Sequence, residues 1–243
     1  MKLILAFDSF KGTLSATDAC AEAAQAIQDA LPGIEVVSMP MADGGEGTAA
    51  AMIAARGGEW IHVPVTGPLT SMNVDGGFAW FADDESALVE MAVASGITLL
   101  RRDQLHPLKT TTLGTGELLC AARDHGARRI LLAVGGSATV DGGIGAAHAF
   151  GWRFRDAEGR DLPPIGASLE KIATIVPQPL PRAPFPPLLI LADVDNLLCG
   201  ERGAARVFGP QKGATPAMVE HLDAGLRNLA ARARAVTGCD MLD

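Results

Sequence analysis

Short apolar runs alternate along this chain with glycine-rich loops and with stretches of helical period. The first run, Lys2 to Phe7, reads as a central strand, and Asp8-Ser9-Phe10-Lys11-Gly12-Thr13 follows as a loop. Ser15 and Asp18 fit a capping box for a helix to about Ala30, with Ala19, Ala23, Ala26, Ile27 and Ala30 on one face. Leu31-Pro32-Gly33 stops that helix, and Ile34 to Met39 is a second strand, an order that predicts a right-handed parallel crossover. Met41 to Thr48 is a second glycine-rich loop, opening an alanine-rich helix that ends at Arg56-Gly57-Gly58. Trp60 to Val65 alternates like a strand before Thr66-Gly67-Pro68 breaks the pattern.

Beyond that break the pattern changes, which predicts a domain boundary near Gly67, dividing residues 1–66 from 67–243. Met72 to Phe81 and Ala87 to Met91 form a predicted hairpin around the acidic turn Asp83-Asp84-Glu85. Thr110 to Glu117 leads into a helix ending near His125-Gly126, and Ile130 to Val134 reads as a buried strand. A loop to Gly143 and a helix from Ile144 to Phe150 come next. Asp161 to Pro187 is proline-rich without a clean period and reads as loop with one short strand. Leu188 to Ala192 is another buried strand, carrying Asp193-Val194-Asp195-Asn196 at its end, and Thr215-Pro216 opens a helix to about Val236.

At 243 residues, 48% hydrophobic and 20% charged, the chain is globular, with room for one large domain or two modest ones. A net charge of −8 argues against general affinity for nucleic acid or anionic membrane, yet leaves room for a small anion at a locally positive site. Cys20, Cys120, Cys199 and Cys239 are scattered, without a C-x-x-C pair, and the first residues hold no signal-peptide core; both point to a reduced cytoplasm. No apolar run is long enough to cross a bilayer, and no heptad or interface stripe fixes the oligomeric state, so a homo-oligomer stays open. The five histidines show no metal-ligand spacing.

Candidate chemistry gathers at the strand ends. Val134 to Gly143 sets four glycines around Ser137, Thr139 and Asp141 at a strand-to-helix turn, where backbone N–H groups approach a ligand closely and a helix N-terminus favours anions. Ser137 and Thr139 can donate to phosphate or carboxylate oxygens, and Asp141 can hold Mg²⁺ or take a proton. Asp8, Asp43, Asp141, Asp193 and Asp195 all follow predicted strands, the side of an open α/β sheet where ligands bind. Taken singly, Asp8 and Asp43 fit an Asx-turn or helix cap as well. Asp193 and Asp195, two apart at a strand end, should point the same way. Lys11 and Lys212, both beside glycine, are the natural cations, although a solvated loop is the commoner place for a lysine. The chain has no P-loop, no strict G-x-G-x-x-G and no G-x-S-x-G around Ser137, which counts against a P-loop nucleotidase, a dinucleotide-dependent oxidoreductase and a serine hydrolase.

Taken together the loops resemble those of the bacterial glycerate kinase family without a P-loop. The matching segments are Asp8 to Gly12, Ala42 to Thr48, Leu108 to Thr112, Gly114 to Glu117, Gly135 to Thr139 with Asp141-Gly142-Gly143, Asp193 to Asn196, and Gly209 to Thr215. The resemblance implies ATP-dependent, Mg²⁺-assisted phosphorylation of D-glycerate to 2- or 3-phosphoglycerate. It also implies two α/β domains with the active site between them, a Rossmann- or flavodoxin-like domain and an inserted second one. Members of the family run further at the C-terminus, so the first domain is expected to be incomplete in these residues, and a binding remnant without turnover is the alternative.

Residue chemistry then distributes the roles. Lys11 is to neutralise the transferred phosphoryl group or anchor the glycerate carboxylate. Asp193 or Asp195 is to act as base toward the attacking hydroxyl, the other holding Mg²⁺ with Asp43 or Asp141. Ser9, Gly44, Gly45, Gly136, Ser137 and Thr139 are to cradle substrate or phosphate, and Lys212 is to contact nucleotide phosphates.

Overall fold

The computed structural model describes residues 1–10, 13–177 and 185–242. Lys11 and Gly12 therefore lie outside the described residues, as does part of the proline-rich stretch.

The chain begins as β1 (Lys2–Leu5), α1 (Ala16–Ala30), β2 (Glu35–Ser38) and α2 (Thr48–Arg56). It continues through β3 (Glu59–Thr66), β4 (Asn73–Phe81), β5 (Ser86–Glu90) and the short α3 (Met91–Ser95). Next come α4 (Leu113–His125), β6 (Arg129–Ala133), α5 (Ile144–Ala149), β7 (Arg153–Arg155) and β8 (Thr174–Val176). The last elements are β9 (Leu188–Leu191), α6 (Ala204–Phe208) and α7 (Pro216–Thr237). Local signals placed several of these well. The Ser15 hydroxyl accepts from the Asp18 amide at 3.0 Å, and Thr215 caps α7 with Pro216 in its first turn.

Among the described residues the strands form three sheets. β1 and β2 pair in parallel, as the predicted crossover requires; β7 and β8 pair antiparallel; and β3-β4-β5-β6-β9 form a mixed five-stranded sheet. The β4–β5 hairpin closes where the acidic turn was expected, and β5, β6 and β9 run parallel. β3 pairs with β4 over eight positions, from Glu59 opposite Trp80 to Thr66 opposite Asn73. The pattern break at Gly67 is thus the turn of a hairpin, and by sheet membership β3 goes with the residues that follow it.

The large sheet is covered on both faces, which its side-chain alternation reflects. Phe78, Ala87, Val89, Ile130 and Leu132 pack with Leu118, Leu119 and Ala122 of α4. Ala79, Phe81, Leu88 and the partly buried Leu131 face the other way, onto Ala49, Met52 and Ile53 of α2. A separate core forms where α7 supplies Leu222, Leu226 and Leu229 to Ile144, Phe154, Leu169 and Ile172. Two strands expected to be buried are not. In β1 only Leu5 is buried and Ile4 is 57% exposed, because its sheet has just two strands. In β9, Leu188, Leu189 and Ile190 are 40–57% exposed, because β9 lies at the sheet edge with β6 on one side alone.

Candidate active site

The parallel strands of the large sheet and both strands of the small one deliver their carboxyl-end loops to one cleft of about 820 Å³. Ser9 and Phe10 come from the loop after β1, and Met41, Asp43, Gly45, Glu46 and Gly47 from the loop between β2 and α2. Gly135, Gly136 and Ser137 follow β6, Asp193 and Val194 follow β9, Phe208 ends α6, and Gln211 and Lys212 follow it. Of the residues expected from the sequence, Ser9, Asp43, Gly45, Gly136, Ser137, Asp193 and Lys212 meet along this cleft. Lys11 lies outside the described residues.

The glycine-rich loops are close enough that side chains would separate them. Gly135 N–H donates to the Gly44 carbonyl at 3.1 Å, and a Cβ built on Gly135 would stand 2.6 Å from the Gly45 Cα. Gly44 therefore does not line the cleft; its carbonyl ties one loop to the other. At Gly135, glycine allows the contact between the two loops.

Neither helix N-terminus is left to an external anion. Asp141, placed by sequence among the metal candidates, is 1% exposed and turned away from the cleft. Its carboxylate accepts from Thr112 N and Thr112 Oγ1, both at 2.8 Å, from Gly143 N at 3.1 Å and from Gly145 N at 3.3 Å, which caps α5 from within. Burial pushes its pKa up while these donors pull it down, and burial dominates. The N-terminus of α2 holds the matching arrangement, with Glu90 accepting from Ala49 N at 2.6 Å at 4% exposure. Burial raises the Glu90 pKa against the amides of Ala49, Gly47 and Thr48. Sequence reasoning missed Glu90; its signal was one carboxylate ending the apolar run Ala87-Leu88-Val89.

Lys212 reaches the cleft from behind the Gly135–Thr139 loop. The residue is 7% exposed, and its ammonium donates to Ser137 Oγ at 2.7 Å and to the Thr139 carbonyl at 2.8 Å. The Thr139 side chain is buried, so the residue contributes its carbonyl to the lysine rather than a hydroxyl to the cleft. Among the described residues Lys212 makes no ion pair, and the charge of Asp141 is the one that reaches it. Burial lowers its pKa from 10.5 to about 8. The turn after it needs glycine, because Gly213 has φ +88° and a Cβ there would sit 2.5 Å from the Leu105 carbonyl.

Three acidic residues, Asp43, Glu46 and Asp193, line the same cleft. Asp43 Oδ1 accepts from Gly45 N at 2.9 Å, the Asx-turn weighed from its sequence context. Asp8 Oδ1 instead accepts from the N–H of the next residue, Ser9, at 2.6 Å, which does not close an Asx-turn. Asp195 stays outside the cleft lining; its side chain is 95% exposed, with Arg202 4.0 Å away. The expected pairing with Asp193 fails because β9 ends at Leu191, so strand alternation no longer applies at 193 and 195.

Comparison with known proteins accords with this arrangement. Glycerate kinase of Bacillus subtilis is 43% identical over the whole chain, which covers 64% of that protein, and glycerate 2-kinase of Escherichia coli K12 is 41% identical with the same coverage. A crystal structure described as glycerate kinase 2 of Salmonella typhimurium LT2 superposes with a TM-score of 0.86 at 43% identity, over all of this chain and 66% of that one. The chain thus spans just under two thirds of the length of these curated relatives. The profile of the glycerate kinase family matches residues 3–243, and the chain belongs to that family.

Proposed function

We propose that this protein transfers the γ-phosphoryl group of ATP to a hydroxyl of D-glycerate, giving 2- or 3-phosphoglycerate. The observation that carries the reading is the lining of the cleft, in which the carboxylates of Asp43, Glu46 and Asp193 occur together with the ammonium of Lys212 and its partner Ser137. Phosphoryl transfer needs little more than positioning, charge neutralisation and a base, and such a cleft supports all three.

The residues fit Mg²⁺, a hard cation that takes one or two carboxylates and completes its shell with phosphate and water. Among the described residues no cluster of three ligating side chains exists, in keeping with that mode of binding. Asp43 is the residue to hold the ion, which supplies neutralisation of phosphate charge when bound. Asp193 accepts the proton of the attacking hydroxyl as its oxygen bonds to the γ-phosphorus and the bond to the β-phosphate oxygen breaks. The backbone of the Gly135–Ser137 turn and the Ser137 hydroxyl orient the groups that react. Four free cysteines agree with a cytoplasmic setting. Among the described residues no helix is long and apolar enough to cross a membrane.

The test is to mix the purified chain with Mg·ATP and D-glycerate, follow ADP, and resolve the product by phosphorus NMR. A new phosphomonoester resonance that needs all three components is expected, and its position separates 2- from 3-phosphoglycerate. Binding of ligand with no phosphomonoester would favour a second reading, a binding unit without turnover. That reading draws on the exposed Leu188, Leu189 and Ile190 of β9, immediately before Asp193.

A further inference from the structure

Burying an ammonium without a carboxylate beside it is costly, and lysines are rarely so placed unless an anion joins them. Lys212 is 7% exposed, its ammonium donates to the neutral Ser137 Oγ and Thr139 carbonyl, and both it and Ser137 line the cleft. An ammonium has three N–H donors, so one remains after these two bonds. Ser137 accepts from Lys212, which leaves its own O–H to donate, and among the described residues it makes no other bond. Lys212 and Ser137, bonded to one another and both lining the cleft, thus keep one donor each, a number that matches the two oxygens of one carboxylate. We propose that Lys212 and Ser137 together hold the carboxylate of the acceptor hydroxy acid, and that this pair makes the cleft reject neutral polyols.

The assignment deepens the kinase reading and rests on it for the identity of the acceptor. It differs from the sequence-based expectation, which gave Lys212 to the nucleotide phosphates. A polyphosphate is far more negative than one ammonium can match, and it calls for a divalent metal, for which Asp43 is the ligand proposed above. A single buried cation with neutral companions suits a singly charged group. Asp141, behind Lys212, is the titratable group whose charge reaches the ammonium; its carboxylate is bonded to Thr112, Gly143 and Gly145. Asp43, Glu46 and Asp193 line the cleft with it. The lowered pKa of Lys212 accords with an ammonium awaiting an anionic partner. A neutral polyol would leave that charge unmatched, and sites built for one polar partner discriminate strongly against analogues lacking it.

Calorimetric titration of the full chain tests this, with D-glycerate, glycerol and Mg·ADP as separate ligands. In the wild type, glycerate is expected to bind at least roughly 100-fold tighter than glycerol. Lys212→Met should weaken glycerate binding by at least roughly tenfold while leaving Mg·ADP within about threefold. Ser137→Ala keeps the ammonium and should weaken glycerate by roughly three- to tenfold, which holds the test open if Lys212→Met does not fold. Glycerol binding within tenfold of glycerate, or loss of Mg·ADP affinity in Lys212→Met with glycerate intact, overturns the assignment. Turnover in the wild type with glycerate affinity unchanged in both variants overturns the assignment and leaves the kinase reading. Wild-type glycerate binding that the variants lose, without turnover in any of them, overturns the kinase reading and leaves the assignment.

Discussion

At the scale of single residues, two buried charges with opposite tasks organise the site. Lys212 has a pKa of about 8 in the folded chain, whereas an unfolded lysine stays protonated to about 10.4. Between those values the unfolded chain binds more protons, so this lysine's contribution to stability rises with pH across the window and is least favourable below it. The stability of wild type relative to Lys212→Met should therefore rise by about 2 kcal/mol from pH 8 to pH 10, as urea unfolding at the two pH values would measure. Asp141 works inward. Asp141→Asn would turn amide hydrogens toward donors now satisfied by carboxylate oxygens, and should cost roughly 2–3 kcal/mol in chemical denaturation. Little of this was legible in the sequence. The chemistry of both residues could be read from their loops, but a side chain's direction is set by partners such as Thr112, 29 positions away from Asp141.

At the scale of elements, what depended on neighbours in the chain was readable and what depended on distant ones was not. The caps at Ser15 and Thr215 are local, and both formed as their spacing implied. The strand at Trp60 was recognised, yet its eight-position pairing with β4 reassigns it to the other sheet. The apolar run of β9 promised burial, but the same pattern fits any strand until its neighbours are known. The glycines have a structural task that the sequence did not disclose. They let two loops touch, and Gly135→Ala tests this directly, because its Cβ would collide with the Gly45 Cα at 2.6 Å. That change should cost about 1–3 kcal/mol of stability and weaken binding of both ligands together, since it moves two walls of the cleft. Thermal melts with and without glycerate or Mg·ADP would show a smaller ligand-induced shift for each.

At the scale of the whole molecule, the layered fold explains why chemistry collects where it does. Covering the large sheet with α4 on one face and α2 on the other leaves its carboxyl ends as the open side, and the β1–β2 pair brings a further rim of loops to it. That general placement was legible, because five aspartates followed predicted strands. Which of them face the ligand was not, and only Asp43 and Asp193 line the cleft. The most direct test is the rate of phosphoryl transfer from Mg·ATP to D-glycerate by wild type and by Asp193→Asn, with unfolding midpoints measured alongside. Asp193 is exposed, so its replacement should leave the midpoint unchanged and slow turnover by at least roughly 100-fold. Equal rates in the two proteins would contradict the account.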